Sequence, residues 1–246
     1  MSRGRSGTRV VAWTCNELGL SFGSTAWRRP SGDPTDARFT QAIMQVALDS
    51  RGVTRSSQVR SSDLERLQRA AYAFYRWLRP GPRGWGWKFP ETYLIGPVLL
   101  RAFPKTRFIH LVRDGRDVAF KEHLTDDVAW PITRQLLAGT DFLNRPRYLN
   151  AAVSWARQVE QFEAFKPEIP PTQLLELRFE TLCQAPLESG ARIADFLRQP
   201  LTPECRAYLA KEVDASRVGQ FLRQDPGKVA EVTALLKPTL ERLGYL

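Results

Sequence analysis

Two short stretches, far apart in the chain, carry residue types suited to holding an anion. The first is Ser2-Arg3-Gly4-Arg5-Ser6-Gly7-Thr8, which runs into the apolar segment Val10-Val11-Ala12-Trp13 and on to Leu18-Gly19. That is the pattern of a glycine-containing loop opening a helix that stops at a glycine. Gly4 and Gly7 let the backbone turn sharply and bring its N–H groups close to a negative charge, and the following helix presents its positive end. The loop lacks the lysine of the GxxxxGK[ST] nucleotide loop, and Arg5 is the nearest cation in its place. An ordinary Ser/Gly/Arg tail would have the same composition.

The second stretch is Arg113-Asp114-Gly115-Arg116-Asp117, directly after the compact apolar run Arg107-Phe108-Ile109-His110-Leu111-Val112. The run reads as a strand, and in open α/β sheets ligands bind beyond the carboxyl ends of strands. Arginine can grip a phosphate through two parallel N–H bonds, so Arg113 is the candidate for a phosphate there. The plain alternative for RDGRD is a surface turn of salt bridges. His110, inside the strand, reads as a core histidine.

Helices are expected over residues 38–50 and 62–79, with loop over 23–37 and an irregular stretch from Pro80 to Pro90. Tyr93 to Phe103 has a helical apolar face, and Pro104 stops it. Tyr148, Ala152, Trp155, Val159 and Phe162 share one helical face, and Gln173 to Phe179 (QLLELRF) is the next strand. Helix alternating with short apolar strand is the pattern of a parallel sheet covered on both faces. Trp13, Trp155 and the Trp85/Trp87 pair read as core or pocket wall.

The composition agrees with an anionic partner and narrows the rest. The 246 residues are 43% hydrophobic and contain no Pro/Gly/Ser tract that would separate two units, so one domain over residues 1–246 is expected. Lys plus Arg outnumber Asp plus Glu by 36 to 26, a formal charge of +10. Part of the excess is local: Arg3, Arg5, Arg9, Arg28 and Arg29 stand against Glu17 alone in residues 1–32. No run of Lys/Arg interleaved with aromatics points to nucleic acid. Cys15, Cys183 and Cys205 are scattered and without CxxC spacing, which argues against a disulfide framework or a zinc site and fits a reducing cytoplasm. No stretch approaches the roughly 18 apolar residues of a membrane span, and no signal-peptide pattern opens the chain.

Taken together, these stretches resemble the sulfotransferase superfamily that uses 3′-phosphoadenosine-5′-phosphosulfate (PAPS), especially its bacterial and tyrosylprotein-type branches. SRGRSGT matches that family's 5′-phosphosulfate loop, and FIHLVRDGRDVA matches its 3′-phosphate motif. WGWKFP at 85–90 is similar to its Lys-x-Pro segment. LLELRFETL at 174–182 is similar to a later strand ending in Arg-Tyr-Glu-Asp-Leu, and ADFL follows at 194–197. SRVGQFLRQDPGKVAEV through LERLGY is similar to the C-terminal loop and last helix.

The resemblance implies an α/β fold with a P-loop-like parallel sheet flanked by helices. It implies an enzyme that moves the sulfuryl group of PAPS to a hydroxyl or amine acceptor and leaves 3′,5′-adenosine bisphosphate, with no metal. Gly4, Arg5, Ser6, Gly7 and Thr8 would hold the 5′-phosphosulfate, and Arg113 the 3′-phosphate. Lys121 stands where a serine usually shares that phosphate, and Phe179 where many members place a tyrosine near the adenine. Arg223, in the C-terminal loop, is a further candidate for the nucleotide phosphate. Lys88 and Arg5 would neutralise the leaving charge. The general base would be Asp33, in the same loop as Asp36, or His123 in the helix after Arg113.

One departure stands out. Family members place an apolar strand immediately before the phosphosulfate loop, whereas here only Met1, Ser2 and Arg3 precede it. The expectation is therefore a truncated first strand and a loop fixed only at its helix end. The competing readings are a P-loop nucleotide kinase and a catalytically inactive, nucleotide-binding member of the same fold. The acceptor and the oligomeric state stay open.

Overall fold

The computed structural model describes residues 1–22, 37–141 and 143–246. Its centre is a parallel pair of strands, β1 (Phe108–Val112) and β2 (Leu174–Arg178), in register from Phe108 opposite Leu174 to Val112 opposite Arg178. Both segments expected as strands form strands, and the side-chain alternation explains why both faces are covered. Phe108 points into a core built from α2 (Ala37–Asp49), α3 (Ser61–Leu78), α4 (Gly96–Ala102) and the end of α7 (Arg147–Phe165). Leu111 and Leu177 point the other way, into a core with α1 (Thr8–Glu17), α8 (Phe179–Gln184), α9 (Pro186–Leu197) and α10 (Pro203–Glu212). A third cluster joins α5 (Gly115–Ala119), α7 and α11 (Pro226–Arg242). The remaining α-helix, α6 (Pro131–Leu136), packs Ile132 and Leu136 against the first core.

The helices follow their apolar spacing. In α2, Phe39, Ala42, Ile43, Val46 and Ala47 are buried at intervals of three and four, and in α7 the buried face includes Trp155, Val159 and Phe162. The segment expected as one helix from Tyr93 to Phe103 is divided into a 3₁₀ turn over Pro90–Ile95 and then α4. Pro97 sits in the first turn of α4, where its missing N–H costs no hydrogen bond, so the helix restarts there.

A second difference bears directly on function. His123 is not in a helix, because α5 ends at Ala119 and His123 caps a 3₁₀ turn over Leu124–Asp126. The His123 N–H donates to Asp126 Oδ2 (3.1 Å) and the Thr125 N–H donates to His123 Nδ1 (3.2 Å). These local side-chain bonds give the backbone an alternative to continuing the helix.

On the edge of β1 opposite β2, the Leu111 N–H donates to the Met1 carbonyl (3.0 Å), and the Met1 nitrogen donates to the Ile109 carbonyl. Beside this edge lies a largely apolar cavity of about 850 Å³, lined among others by Val11, Phe22, Trp85 and Trp87, with Thr8 and Lys88 also on its wall. His110 is buried as expected of a core histidine, with Tyr93 Oη 2.8 Å from its Nε2 and Glu176 Oε1 3.3 Å from its Nδ1. No described helix is long and apolar enough to cross a membrane.

Packing at the turn after β1 is tight enough to be tested. A Cβ on Gly115 would lie 2.5 Å from the Trp155 ring and 2.8 Å from Leu236, whereas one on Gly81 would meet nothing within 4 Å. Gly115→Ala is expected to destabilise by about 1–3 kcal/mol through overpacking. Gly81→Ala should be neutral or stabilising by up to ~1 kcal/mol, since it only reduces the freedom of the unfolded chain. Urea unfolding of both variants is the measurement, and a Gly115→Ala protein as stable as the parent would contradict this packing.

Candidate functional site

The glycine loop is built as a concave turn. Arg5 and Gly7, on either side of Ser6, both have positive φ, 70° and 89°. Such a conformation costs an arginine about 1–2 kcal/mol and Gly7 little. Successive N–H groups in turns of this kind converge on one point and form an anion-binding hollow. Gly7 is also the cap of α1 and supplies no side-chain bond to it, so the first N–H groups of that helix are not met by a capping side chain. Ser6 is 1% exposed, and its hydroxyl has no hydrogen-bond partner among the described residues. A buried hydroxyl left orphaned inside a turn of N–H groups fits an oxyanion ligand.

The loop is fixed at both ends, not only at its helix. Arg3 forms a buried ion pair with Asp126, and its Nη1 donates to the Gly4 carbonyl (3.2 Å). Arg5 Nε donates to the Glu122 carbonyl (2.9 Å). Gly4 lies so close to His123 that a Cβ would be 2.0 Å from its Nε2, and a Cβ on Gly7 would be 2.4 Å from the Phe179 ring. The residues after α5 therefore form one wall of the loop, and the start of α8 forms another.

The RDGRD turn divides its two arginines between different duties. Arg116 makes the near-surface pair, with Asp114 at 2.7 Å, and also donates to the Tyr245 carbonyl (3.0 Å). Arg113 is 2% exposed. Its Nη2 donates to Asp117 (2.8 Å) and to the Arg217 carbonyl, its Nη1 to the Arg5 carbonyl (3.4 Å), and its guanidinium lies 4.0 Å from the Phe179 ring centre. Asp117 in turn accepts the N–H groups of Gly219 (3.1 Å) and Phe221 (2.9 Å). The motif thus grips the C-terminal loop as well as the glycine loop.

Lys121 reaches the same cluster and donates to Gln220 Oε1 (3.1 Å). Burial, and then the neighbouring Arg113, lower its pKa. Lys88 is half-buried on the cavity wall that also includes Thr8. Arg223 is exposed in the 3₁₀ turn Gln220–Arg223, and no hydrogen bond or ion pair among the described residues joins it to the loop or to Arg113. Asp33 and Asp36 lie outside the described residues. The structure therefore brings Gly4, Arg5, Ser6, Gly7, Arg113, Lys121, Phe179 and His123 together, with Thr8 at the start of α1. Asp117, Asp126 and the Arg217 carbonyl belong to the same network and were not foreseen. The signal for Asp117 was its position four residues after Arg113, the spacing of a helical ion pair.

A model of the sulfotransferase family matches residues 21–203. The chain belongs to the sulfotransferase family. The matched stretch contains Lys88, Arg113, Lys121, His123 and Phe179, while the glycine loop and Arg223 lie outside it. Among solved structures, the sulfotransferase domain from the curacin biosynthetic pathway is 18% identical with a TM-score of 0.55, over 96% of this chain and 95% of that one. Sulfotransferase STF9 from Mycobacterium avium is 15% identical with a TM-score of 0.56, over 98% of this chain and 75% of that one. At such identities the likeness is one of fold, and it bears out the sulfotransferase-like α/β architecture. No curated protein matches the sequence.

Both histidines of this sulfotransferase-family chain are neutral at pH 7. Burial pushes His110 down to about 4. His123 is pushed down to about 3, by burial and then by the cations Arg3, Lys88, Arg5 and Arg147. In the unfolded chain each ring titrates near 6.5. The unfolded state therefore holds more protons below that pH, and stability is lost as pH falls from 6.5 towards 4, with no further contribution from His110 below its folded value. The slope reaches ~1.4 kcal/mol per pH unit for each ring. Urea unfolding at pH 6.5 and pH 5 should show a loss of about 2 kcal/mol or more, and equal stability at the two would refute the assignment.

Proposed function

We propose that this chain binds PAPS and transfers its sulfuryl group to a hydroxyl or amine acceptor. The observation that supports this best is the meeting of two distant motifs at one site. Phe179 is packed between Gly7 of the loop and the Arg113 guanidinium, and Arg113, Arg217 and Arg5 all stand close enough to Lys121 to act on its charge. An orphaned Ser6 hydroxyl inside the turn and cations beyond it suit a ligand with two separate anionic groups, as PAPS has.

Bound PAPS would supply a sulfuryl group already attached to a good phosphate leaving group, so the protein's tasks are positioning and charge stabilisation. The Gly4–Thr8 loop would hold the phosphosulfate, and Arg5 and Lys88 would neutralise charge on the departing oxygen. Arg113 and Lys121 would hold the 3′-phosphate, with Phe179 beside the adenine. Four of the five Arg113 N–H groups already donate to Asp117 and to the Arg5 and Arg217 carbonyls, so a two-pronged grip on the phosphate would draw on one of those donors, and release of the Arg217 carbonyl would let the C-terminal loop, which also carries Arg223, shift. Asp33 would accept the acceptor's proton. One domain over 1–246 is proposed as the working unit, and the three free cysteines suit a cytoplasmic setting.

The kinase reading separates cleanly from this one. 3′,5′-Adenosine bisphosphate at one hundred times its dissociation constant should stabilise the fold by about 2.7 kcal/mol, seen as a raised melting temperature, and ATP should do much less. Equal shifts by both nucleotides, or none by either, would sink the proposal. Arg113→Lys keeps the charge and removes the planar fork, so it should weaken binding of the bisphosphate about tenfold or more. Lys121→Ser should change it by no more than about threefold, because a serine hydroxyl still donates to phosphate.

A further inference from the structure

We propose that His123 is a fixed neutral hydrogen-bond donor to the anion held by the glycine loop, with Nδ1 committed to its own turn and Nε2–H presented beside Gly4. The inference rests on the proposed PAPS site for the identity of the anion, but not for the state of the ring.

Nδ1 accepts the backbone N–H of Thr125 at 3.2 Å, and the Thr125 hydroxyl lies 2.9 Å from the same atom. A backbone N–H can only donate, so Nδ1 carries no proton and the neutral ring must carry its proton on Nε2. That nitrogen abuts Gly4, where only the missing side chain makes room for it, and it has no hydrogen-bond partner among the described residues. The groups facing the ring are mostly cationic. Arg3 and Arg5 come from the loop, Lys88 from the 85–90 segment, and Arg147 from the start of α7, which also donates to the His123 carbonyl (3.2 Å). On its own turn the nearby acids are Asp126, engaged by Arg3, and exposed Glu122. A second proton on the ring would meet those cations and break the Thr125 bond. His123 therefore adds an N–H to the anion site without adding a charge, and it has no free lone pair with which to act as the general base.

Two substitutions separate the two nitrogens. His123→Asn places an amide oxygen near the Nδ1 position and removes Nε2–H, whereas His123→Gln can reach the Nε2 position with an N–H and gives up the Nδ1 acceptor. The Asn variant should melt close to the parent and bind PAPS about tenfold more weakly, as for a lost hydrogen bond to a charged group. The Gln variant should melt lower and keep most of the affinity. Long-range ¹H–¹⁵N correlation on ¹⁵N-histidine-labelled full chain, assigned against the Asn variant, should show the Nε2–H tautomer unchanged from pH 5 to pH 8. A midpoint near 6.5 for His123, or its Nδ1–H tautomer, overturns the proposal, and so does the lack of any Nε2–H ring in the spectrum even if no variant folds. Inorganic pyrophosphate serves as a second probe. If PAPS does not bind but pyrophosphate does, and more weakly to the Asn variant, the donor stands and the nucleotide reading falls. If the Asn variant matches the parent with both probes, or neither probe binds the parent, the donor falls.

Discussion

A guanidinium removed from water must be satisfied on every side, and the organisation of this protein around Arg113 follows from that requirement. One partner is local, Asp117 one turn on, and two come from distant parts of the chain, the Arg5 carbonyl of the glycine loop and the Arg217 carbonyl of the C-terminal loop. Phe179, at the start of α8, covers its face. Breaking a buried pair from one side leaves an uncompensated charge that costs several kcal/mol. The glycine loop, the turn after β1 and the C-terminal loop are consequently not independent pieces. A displacement of one must be met by rearrangement of the others.

The charges are distributed with the same economy. Two buried carboxylates are each committed to one arginine, Asp117 to Arg113 and Asp126 to Arg3, and both pairs serve to hold backbone in place. Arg5 and Lys121, by contrast, donate to neutral acceptors, the Glu122 carbonyl and the Gln220 amide oxygen. A cation held by a carbonyl keeps its position without surrendering its charge to a carboxylate. Ion pairs thus build the scaffold, and charges kept uncancelled stand where an anionic ligand would be received.

Much of this was legible in the sequence, and the reason is local. β1 declares itself by a short apolar run bounded by Pro104 and the RDGRD turn and β2 by the run QLLELRF, α1 by its glycine loop and closing glycine, and α2 and α3 by apolar spacing. Arg113 could be singled out because it directly follows a strand. What could not be read depends on contacts between residues far apart in the chain. Nothing near Asp117 reveals that it grips Gly219 and Phe221, and nothing near Arg3 reveals Asp126. The expected helix through His123 failed for a different reason: Thr125 and Asp126 offered its backbone and ring a competing set of bonds. The expectation of a loop held only at its helix end failed because its anchors are side chains and packed rings, which spacing does not encode.

The two histidines show why residue type alone could not assign the acid–base roles. His110 is neutral because burial against Tyr93 and Phe162 outweighs the opposing pull of Glu176, whose carboxyl is held down to about 2, first by the hydrogen bond from this ring. Its two nitrogens are both engaged in the core, so its effect is on stability. His123 is neutral for two separable reasons, burial among cations and the Thr125 N–H on Nδ1. An anion arriving at the loop would offset the cations and raise the proton affinity of the ring. It would leave the Thr125 bond in place, so Nδ1 would remain an acceptor already in use. A ring constrained in this way can donate to the bound anion but cannot take the acceptor's proton, and that part of the chemistry passes to a carboxylate, the role proposed for Asp33.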